Sequence, residues 1–292
     1  MSLPAKPHRN TIVVEQADIL SHDAFAGDQF VMRIAAPKIA QRAQAGSFAH
    51  IQCDPLLAMR RPISIMRVDK QAGWVEVLYK VFGEGTRLLS RRQVGEKLDL
   101  FGPIGVPFKF NASHPRPLLI GGGVGIPPMV FLADTLRHDK HVQPFVIMGS
   151  EVPFPFTSRP STIMLPGIPA GVIACMPLLE DWGIASRLTS TRGYPGCHDG
   201  YVTDLARLYL DALSDEQRRQ VEIFSCGPHP MLEAVARLAK EYGLPCQVSL
   251  EEFMACAVGG CAGCTVKVQT AQGPAMKRVC VDGPVFDAYQ VF

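Results

Sequence analysis

Residues 117–128 read Pro-Leu-Leu-Ile-Gly-Gly-Gly-Val-Gly-Ile-Pro-Pro, a short apolar run that leads directly into a glycine-rich turn. The run 117–120 fits a buried strand, and a helix is expected over residues 129–137. Glycines at the junction of a strand and a helix are typical of a turn that holds a pyrophosphate. The candidate nucleotide-binding residues here are Gly121, Gly122, Gly123 and Gly125. The G-x-G-x-x-G pattern is incomplete, because Ile126 occupies the place of its third glycine, so a plain tight turn is the alternative.

The chain beyond this turn alternates between strand and helix patterns. Strands are expected over residues 145–148, 173–176 and 221–225, and a helix is expected over residues 230–242. This alternation predicts a mostly parallel α/β sheet. The segment 153–169 is rich in proline and serine and is expected to be an irregular loop. Further strands are expected over residues 247–250, 265–269 and 278–281.

The chain before the turn, residues 11–110, shows the pattern of an all-β domain. Short strands are expected over residues 11–14, 30–34, 48–52, 63–68, 74–81 and 97–101. Several short strands separated by glycine and proline predict a small antiparallel barrel. Residues 83–92 depart from this pattern and predict a loop that runs into a short helix.

Composition narrows the classes of function. The 292-residue chain has a net charge of +2, so neither a nucleic-acid partner nor a polybasic membrane patch is expected. Its length suffices for two domains and a small third part. Residues 1–10 lack the apolar core of a signal peptide, and no run approaches the roughly 20 apolar residues of a membrane span. We therefore expect a cytoplasmic protein with reduced cysteines.

Four of the nine cysteines form a late cluster with the spacing C-x4-C-x2-C followed by x15-C: Cys256, Cys261, Cys264 and Cys280. This spacing is that of plant-type [2Fe–2S] centres, in which four thiolates bind the irons. Gly259, Gly260 and Gly263 let backbone N–H groups approach the sulfur atoms. A structural zinc site is the first alternative, although zinc usually takes two separate C-x2-4-C pairs. A disulfide network is the second alternative, which the lack of a secretory signal disfavours.

Three segments of the predicted barrel are candidates for binding a flavin nucleotide. In Arg61-Pro62-Ile63-Ser64, an arginine beside a serine on a rigid strand is suited to a diphosphate. Leu78-Tyr79-Lys80 supplies an aromatic ring for stacking and a cation. Gly85-Thr86 begins a helix, where free N–H groups favour a phosphate. The alternatives are a surface arginine before an ordinary edge strand and a plain barrel tyrosine.

A fourth motif, Cys226-Gly227-Pro228, follows a late strand and precedes the last long helix. A thiol at that strand end is placed to touch a nicotinamide ring, while the next two residues keep the turn tight. The alternative is a buried cysteine that fills a gap in the core. No acidic or basic residue stands out as a reader of the ribose, so the choice between NAD and NADP stays open.

Taken together, these motifs resemble those of the ferredoxin–NADP reductase superfamily. The C-terminal cysteine pattern narrows the resemblance to the electron-transfer subunits of two-subunit, NAD-linked (type B) dihydroorotate dehydrogenases. Matching segments span nearly the full length in the family's order, and they include Gly83-Glu84-Gly85-Thr86 and Leu250-Glu251-Glu252-Phe253-Met254-Ala255-Cys256. Departures occur at Phe253, where the family more often has arginine, at Ala257-Val258, and in the long proline-rich segment 153–169.

The resemblance implies a division of labour along the chain. Residues 1–112 would form an FAD-binding barrel, residues 113–243 an NAD-binding α/β domain, and residues 244–292 a [2Fe–2S] domain. Electrons would pass from the FMN of a separate catalytic subunit through the cluster and FAD to NAD⁺, with two copies of each subunit in the assembly. The chain would then carry no catalytic base and no dihydroorotate site.

Two other functions remain open from the sequence. The chain is also compatible with a flavin and iron–sulfur NAD(P)H reductase subunit for a hydrogenase, a sulfur reductase or a ferredoxin. A zinc-stapled binding module without flavin is the second possibility, and it would leave Arg61-Pro62-Ile63-Ser64 and the glycine-rich turn without a role.

Overall fold

The computed structural model describes residues 12–292, and its first part is a closed barrel. Six antiparallel strands follow one another around the barrel in the order β1-β2-β5-β4-β3-β6. Their bounds are β1 Val13–Phe25, β2 Gln29–Ile34, β3 Phe48–Ile51, β4 Arg61–Asp69, β5 Trp74–Lys80 and β6 Lys97–Ile104. The predicted antiparallel barrel is thus confirmed, while Thr11, with which its first predicted strand begins, lies outside the described residues.

Strand β5 illustrates why these residues form a barrel. Val75 and Val77 are fully buried on the inner face, as the period of two requires. Glu76 points to the other face, where it forms ion pairs with Arg33 at 2.7 Å and Arg67 at 3.3 Å. These arginines lie on the neighbouring strands β2 and β4, so the acidic residue ties three strands together.

The second part is a seven-stranded sheet in the order β12-β11-β8-β7-β13-β14-β17. All neighbours in it are parallel except β14 and β17. Two antiparallel strand pairs, β9 with β10 and β15 with β16, lie outside this sheet. The bounds are β7 Arg116–Gly122, β8 Phe145–Gly149, β9 Arg159–Pro160, β10 Ala174–Cys175, β11 Ala185–Ser190, β12 His198–Asp199, β13 Val221–Cys226, β14 Cys246–Ser249, β15 Thr265–Thr270, β16 Gly273–Arg278 and β17 Val285–Asp287.

The helices connect these strands and cover the sheet. Their bounds are α1 Pro37–Arg42, α2 Glu84–Leu89, α3 Ile126–Leu136, α4 Pro177–Asp181, α5 Val202–Asp211, α6 Asp215–Arg218, α7 His229–Tyr242, α8 Val279–Asp282 and α9 Ala288–Val291. A single 3-10 turn over Gly123–Gly125 precedes α3. Within residues 12–292, no helix combines the length and the hydropathy that a membrane crossing requires.

Two predicted strands are wrong. The third parallel strand is β11, whereas residues 173–176 contribute only the two-residue strand β10. The last predicted strand, 278–281, is mostly the short helix α8, because the Asp282 carboxylate accepts the Arg278 N–H at 2.9 Å and its guanidinium Nε–H at 3.1 Å. This contact ends β16 at Arg278 and places Cys280 on a helical turn.

The apolar cores do not follow the order of the chain. One core joins barrel residues such as Leu100 to Met129 and Val130 of helix α3. The other joins the parallel sheet to C-terminal residues, including Cys280 and Phe286. Strands β14 and β17 of the sheet come from residues after 243, so the C-terminal part completes the sheet on one side.

Candidate functional site

A cavity of about 580 Å³ lies where the barrel, the glycine-rich turn and the C-terminal part meet. From the barrel it is lined by Arg61, Pro62, Ile63, Ser64, Leu78, Tyr79, Lys80 and Thr86. Val124 of the turn and Cys226 at the end of β13 close another side. The C-terminal wall is the segment 249–254, directly before the cysteine cluster. The structure therefore brings residues of all three predicted barrel segments, and Cys226 of the fourth motif, to one cavity.

Sequence reasoning assigned no role to this C-terminal wall. Residues 250–256 carried a family resemblance, but nothing in their composition indicates that Glu251 and Glu252 face a cavity. The signal that points to them is their position two and three residues beyond a parallel strand. Ligands of open α/β sheets bind at the carboxyl ends of the strands.

Arg61 is held at the cavity wall by the two residues before its strand and has room there because of a glycine. Its Nη1 donates to the carbonyl oxygens of Met59 at 2.8 Å and Arg60 at 3.1 Å. Its Nε lies 2.5 Å from the place where a Cβ on Gly85 would stand. Gly85 therefore does not line the cavity but makes room for the guanidinium, which is the role that the structure gives this predicted residue.

Tyr79 is fixed by a ring contact and a hydrogen-bond chain. Its ring stacks on Phe30 with centroids 5.4 Å apart, and its hydroxyl lies 2.8 Å from His22 Nε2. His22 Nδ1 lies 2.9 Å from the carbonyl oxygen of Arg92, which makes Nδ1 the donor and Nε2 the acceptor from Tyr79. Burial raises the pKa of Tyr79, so the ring reaches the cavity as a neutral phenol.

Thr86 stabilises the turn before helix α2. Its hydroxyl oxygen accepts the Phe82 N–H at 2.7 Å, and its O–H donates to the Gly83 carbonyl at 3.4 Å. Gly83 has φ of +82°, a left-handed conformation that favours glycine. The predicted pair Gly85-Thr86 thus shapes the loop beside Arg61.

The glycines of the glycine-rich turn have different structural roles. Gly123 has φ of +55° and no atom within 4 Å of where its Cβ would be, so it faces open space. A Cβ on Gly125 would lie 2.2 Å from the backbone oxygen of Cys226. Gly125 therefore performs the close helix–strand packing that the third glycine of G-x-G-x-x-G performs elsewhere. The glycine that allows this packing is therefore residue 125, one position before the place where the pattern predicts it.

Cys226 ends strand β13 opposite Gly121. Its side chain is 1% exposed and lines the cavity. Burial raises the pKa of this thiol well above its usual range, and the nearby charge of Glu251 acts in the same direction. Cys226 is accordingly both a buried side chain and a neutral S–H at the cavity wall. Gly227 lies outside this cavity, and with Pro228 it joins β13 to α7.

The four clustered cysteines form two pairs. Cys256 and Cys261 lie together on an open loop, whereas Cys264 and Cys280 are buried side by side. Backbone N–H groups reach the first pair, from Cys261 to Cys256 Sγ and from Gly263 to Cys261 Sγ, both at 3.4 Å. Left-handed residues in this loop turn the backbone toward the sulfurs: Ala257, Gly259 and Ala262.

The thiols of the two pairs differ in acidity. Burial opposes ionisation of Cys256, but hydrogen bonds from neighbouring backbone N–H groups outweigh it and lower its pKa to about 7. Burial and the neighbouring Cys264 raise the pKa of Cys280 to about 12. Among residues 12–292, no three His, Cys, Asp or Glu side chains converge on one ion position. Backbone N–H groups directed at the sulfurs of Cys256 and Cys261 are a feature that a cluster held by thiolates would use.

Comparison with known proteins gives consistent matches at three levels. The family model of the iron–sulfur cluster binding domain of dihydroorotate dehydrogenase B matches residues 251–292. The electron transfer subunit of dihydroorotate dehydrogenase B (NAD(+)) from Desulforamulus reducens is 32% identical over 282 residues, covering 95% of this chain and 98% of the relative. The subunit of the same name from Streptococcus mutans is 30% identical and covers 96% and 98%.

Solved structures agree with these matches. The NADH-dependent reduced ferredoxin-NADP oxidoreductase involved in flavin-based electron bifurcation superposes with a TM-score of 0.75 at 25% identity, covering 95% of this chain and 90% of that one. Phthalate dioxygenase reductase, at 15% identity and a TM-score of 0.56, shares the fold and covers 94% and 79%. Identity above 30% over nearly the whole length is decisive: the chain belongs to the family of electron transfer subunits of dihydroorotate dehydrogenase B.

Proposed function

We propose that this chain carries electrons from a dihydroorotate dehydrogenase catalytic subunit, through a [2Fe–2S] cluster and FAD, to NAD⁺. The overall reaction would oxidise dihydroorotate to orotate in pyrimidine (UMP) biosynthesis. Family membership makes the chain an electron-transfer component of an oxidoreductase and implies a separate catalytic subunit. The observation that carries the proposal is the meeting of the barrel, the Cys226 strand end and the segment before the cysteine cluster at one cavity.

The barrel side of the cavity suits FAD. Arg61 and Ser64 would hold the diphosphate, and the Gly85-Thr86 turn keeps the Arg61 guanidinium in place. The flat ring of the flavin would be lined by Leu78, Tyr79 and the backbone of Pro62-Ile63. Lys80 would lie at the edge of the cavity. A bound flavin supplies the exchange between single electrons and a hydride.

The cysteine pairs would hold the cluster. Cys256, Cys261, Cys264 and Cys280 supply four thiolates, and the N–H groups that reach Cys256 and Cys261 stabilise their negative charge. The match of residues 251–292 to the iron–sulfur domain of the family supports this set.

The turn at the start of α3 would hold NAD. The predicted residues Gly121, Gly122, Gly123 and Gly125 would shape this turn around a pyrophosphate. Gly123 faces open space, whereas Gly121 and Gly122 pair within the sheet and Gly125 packs against Cys226. Cys226, followed by Gly227 and Pro228, would border the nicotinamide. This division makes residues 1–112 the FAD part, residues 113–243 the NAD part and residues 244–292 the cluster part, with β14 and β17 shared by the sheet.

The assembly would contain two copies of this chain and two FMN-containing catalytic subunits, in the cytoplasm, with neither nucleic acid nor membrane as a partner. Dihydroorotate and the catalytic base would belong to the catalytic subunit. The isolated chain should therefore reduce FAD with NADH but should not oxidise dihydroorotate.

An anaerobic titration of the purified chain with NADH tests the relay. Visible absorption follows bleaching of a flavin, and electron paramagnetic resonance follows a reduced [2Fe–2S] centre in the same samples. Both signals should develop together, and a Cys280→Ser variant should keep the flavin change while losing the paramagnetic signal. A colourless protein that contains zinc and does not respond to NADH would refute the proposal.

A ferredoxin reductase function is the second candidate, because the similar NADH-dependent reduced ferredoxin-NADP oxidoreductase covers 95% of this chain. The two functions differ in the partner. Co-purification with an FMN subunit that oxidises dihydroorotate would favour the first function, and rapid reduction of ferredoxin by the isolated chain would favour the second.

A further inference from the structure

Strand β3 carries a buried polar side chain that the proposed function does not use. His50 is 1% exposed, and among residues 12–292 neither of its ring nitrogens has a partner in hydrogen-bond geometry. Buried nitrogens without partners are rare in folded proteins, because each loses its bonds to water and gains none in return. His50 therefore carries a cost that an apolar side chain in the same place would avoid.

His50 lies on the outer face of the barrel, where the C-terminal part packs. The residues on either side of it, Ala49 and Ile51, belong to the core of the barrel. The period of two in a strand therefore puts His50 on the opposite face, together with Phe48. Phe48 lines the larger cavity beside Met254, and both belong to the core that contains the buried cysteines of the cluster.

The imidazole of His50 stands between the proposed flavin strand and the segment that leads to the cysteine cluster. In the barrel, His50 pairs with Pro62, and the ring of Phe101 meets the imidazole edge-on with centroids 5.0 Å apart. On the other side, the backbone of Met254 lies close enough to influence the pKa of the ring. Met254 is two residues before Cys256, so one side chain is next to both parts of the site.

The surroundings of His50 keep its ring neutral. Burial lowers the pKa of His50 to about 4, and the positive charge of Arg60 acts in the same direction. A neutral imidazole has one N–H donor and one acceptor nitrogen. His50 can therefore bond to a backbone group without placing a positive charge beside the cluster.

The segment 251–255 lacks other support. The last backbone hydrogen bond before the cluster loop runs from the Leu250 N–H to the Pro284 carbonyl oxygen at 2.9 Å, and within the described part of the chain the backbone of 251–255 forms none in hydrogen-bond geometry. Of these five residues only Met254 is buried, and the others are exposed. The segment is thus held at Met254, the residue that lies next to the unpartnered ring of His50.

The proposed function, on which this inference rests, moves single electrons between FAD and the cluster. Such a step forms and breaks no bond, so its rate depends on how the two groups are placed relative to each other. We propose that His50 is a positioning residue for this step. It bonds the backbone of Met254 and thereby fixes Cys256, and with it the cluster, relative to the flavin strand.

The test separates the two stages of reduction when the holoprotein is mixed rapidly with NADH. Hydride transfer bleaches the flavin, and one-electron transfer then reduces the cluster, which visible absorption and freeze-quench electron paramagnetic resonance follow. In His50→Leu, hydride transfer should stay within about twofold of wild type. Reduction of the cluster should slow about tenfold or more, since a misplacement of about 1 Å can cost about a hundredfold in rate.

Two amide variants and a neighbouring residue supply the controls. His50→Asn keeps an N–H near the place of Nδ1, and His50→Gln keeps one near Nε2, so at least one of them should recover most of the rate. Ile51→Val changes the next residue on the opposite face of the same strand, and it should leave both rates within about twofold of wild type. Unchanged cluster reduction in His50→Leu would overturn the inference, as would equal slowing of both stages or recovery by neither amide.

If His50→Leu does not retain its cofactors, nitrogen NMR of the oxidised wild-type chain labelled in histidine decides instead. A single neutral tautomer of His50 whose ring N–H exchanges slowly with solvent supports the inference, and rapid exchange of the ring proton refutes it. A wild-type chain in which NADH bleaches no flavin or reduces no cluster overturns the proposed function itself, which distinguishes the two failures.

Discussion

Gly123 and Gly125 lie two residues apart in the same turn, but glycine is required at the two positions for different reasons. Gly123 takes a left-handed conformation in open space, whereas Gly125 lets two backbone segments approach each other. The sequence suggested a missing third glycine, because spacing alone does not reveal which glycine packs against Cys226. That contact depends on how closely helix α3 approaches strand β13, which is a tertiary property.

A methyl group at Gly125 tests this packing. Gly125→Ala should lower the free energy of unfolding by about 3 kcal/mol, because the new Cβ meets backbone atoms of Cys226 and Gly227 that cannot rotate away. Urea denaturation of the purified chain measures the loss. Gly171→Ala is the control, since nothing lies within 4 Å of its Cβ position, and its effect should stay within about 0.5 kcal/mol. A similar small effect at Gly125 would show that the helix can shift away.

A methyl group added at Gly85 should weaken FAD binding rather than destabilise the fold. The Arg61 guanidinium lies against this glycine and is the flexible end of a side chain, so Gly85→Ala displaces it without unfolding the barrel. We expect FAD to dissociate about tenfold more readily, since a charge-assisted hydrogen bond contributes about 1.5–3 kcal/mol. Fluorescence of released FAD measures the dissociation constant.

A double-mutant cycle supplies the control for that prediction. If Gly85 acts through Arg61, the double variant G85A/R61A should bind FAD no more weakly than Arg61→Ala alone. Additive losses in the double variant would mean that Gly85 contacts the flavin by another route.

At the level of elements, the proline-rich segment 153–169 is anchored by one buried arginine. Arg187 on β11 donates to the carbonyl oxygens of Val172 at 2.9 Å and Ser186 and Ile163 at 2.7 Å. Glu180 accepts from the hydroxyls of Ser161 and Thr162, both at 2.9 Å. Apart from the two-residue strand β9 the segment is irregular. Its Ile163 carbonyl is bonded to the sheet through Arg187, and Ser161 and Thr162 are bonded to helix α4 through Glu180.

Arg187→Met keeps the volume of this side chain but removes its donors. The free energy of unfolding should fall by about 2 kcal/mol, because buried carbonyl oxygens lose their partners while the cost of burying a cation disappears. Limited proteolysis should then cut within residues 153–169 earlier than in wild type. Arg159→Ala, which breaks only an exposed ion pair with Asp181, should leave both measurements nearly unchanged.

Strand β11 also shows why part of the sheet escaped prediction. Ala185–Ser190 contains three hydroxyl residues and an arginine, which is not the apolar run expected of a central parallel strand. Its polar groups are buried because hydrogen bonds satisfy them, such as the bond from the Met176 N–H to Ser186 Oγ at 3.1 Å. The other barrel strands and β7, β8 and β13 were predictable, because their patterns follow from burial. Strand β1 was predicted only as far as residue 14, although it continues to Phe25.

The residues of the candidate site also differ in whether the sequence alone could predict them. Short motifs identified Arg61, Tyr79 and the four cysteines, since those side chains carry their chemistry with them. The position of Glu251 and Glu252 at the cavity was not predictable, because it arises only when three parts of the chain meet.

At the scale of the whole molecule, the shared cores predict cooperative unfolding. One core crosses from the barrel to the nucleotide part, and the other crosses from there to the C-terminal part. Scanning calorimetry should therefore give one transition in which the barrel and the sheet melt together. A barrel that melts separately would contradict this expectation, as would a truncated chain ending at residue 250 that keeps a stable sheet.

The strand order of the sheet has a consequence for the chain before it meets its partner. A parallel sheet that ended at β14 would leave a row of free N–H and C=O groups on which a second molecule could add a strand. The antiparallel strand β17 covers that row with only three residues, and β12 ends the opposite side with two. Because both rims are so short, newly made subunits that await assembly offer little template for fibre growth.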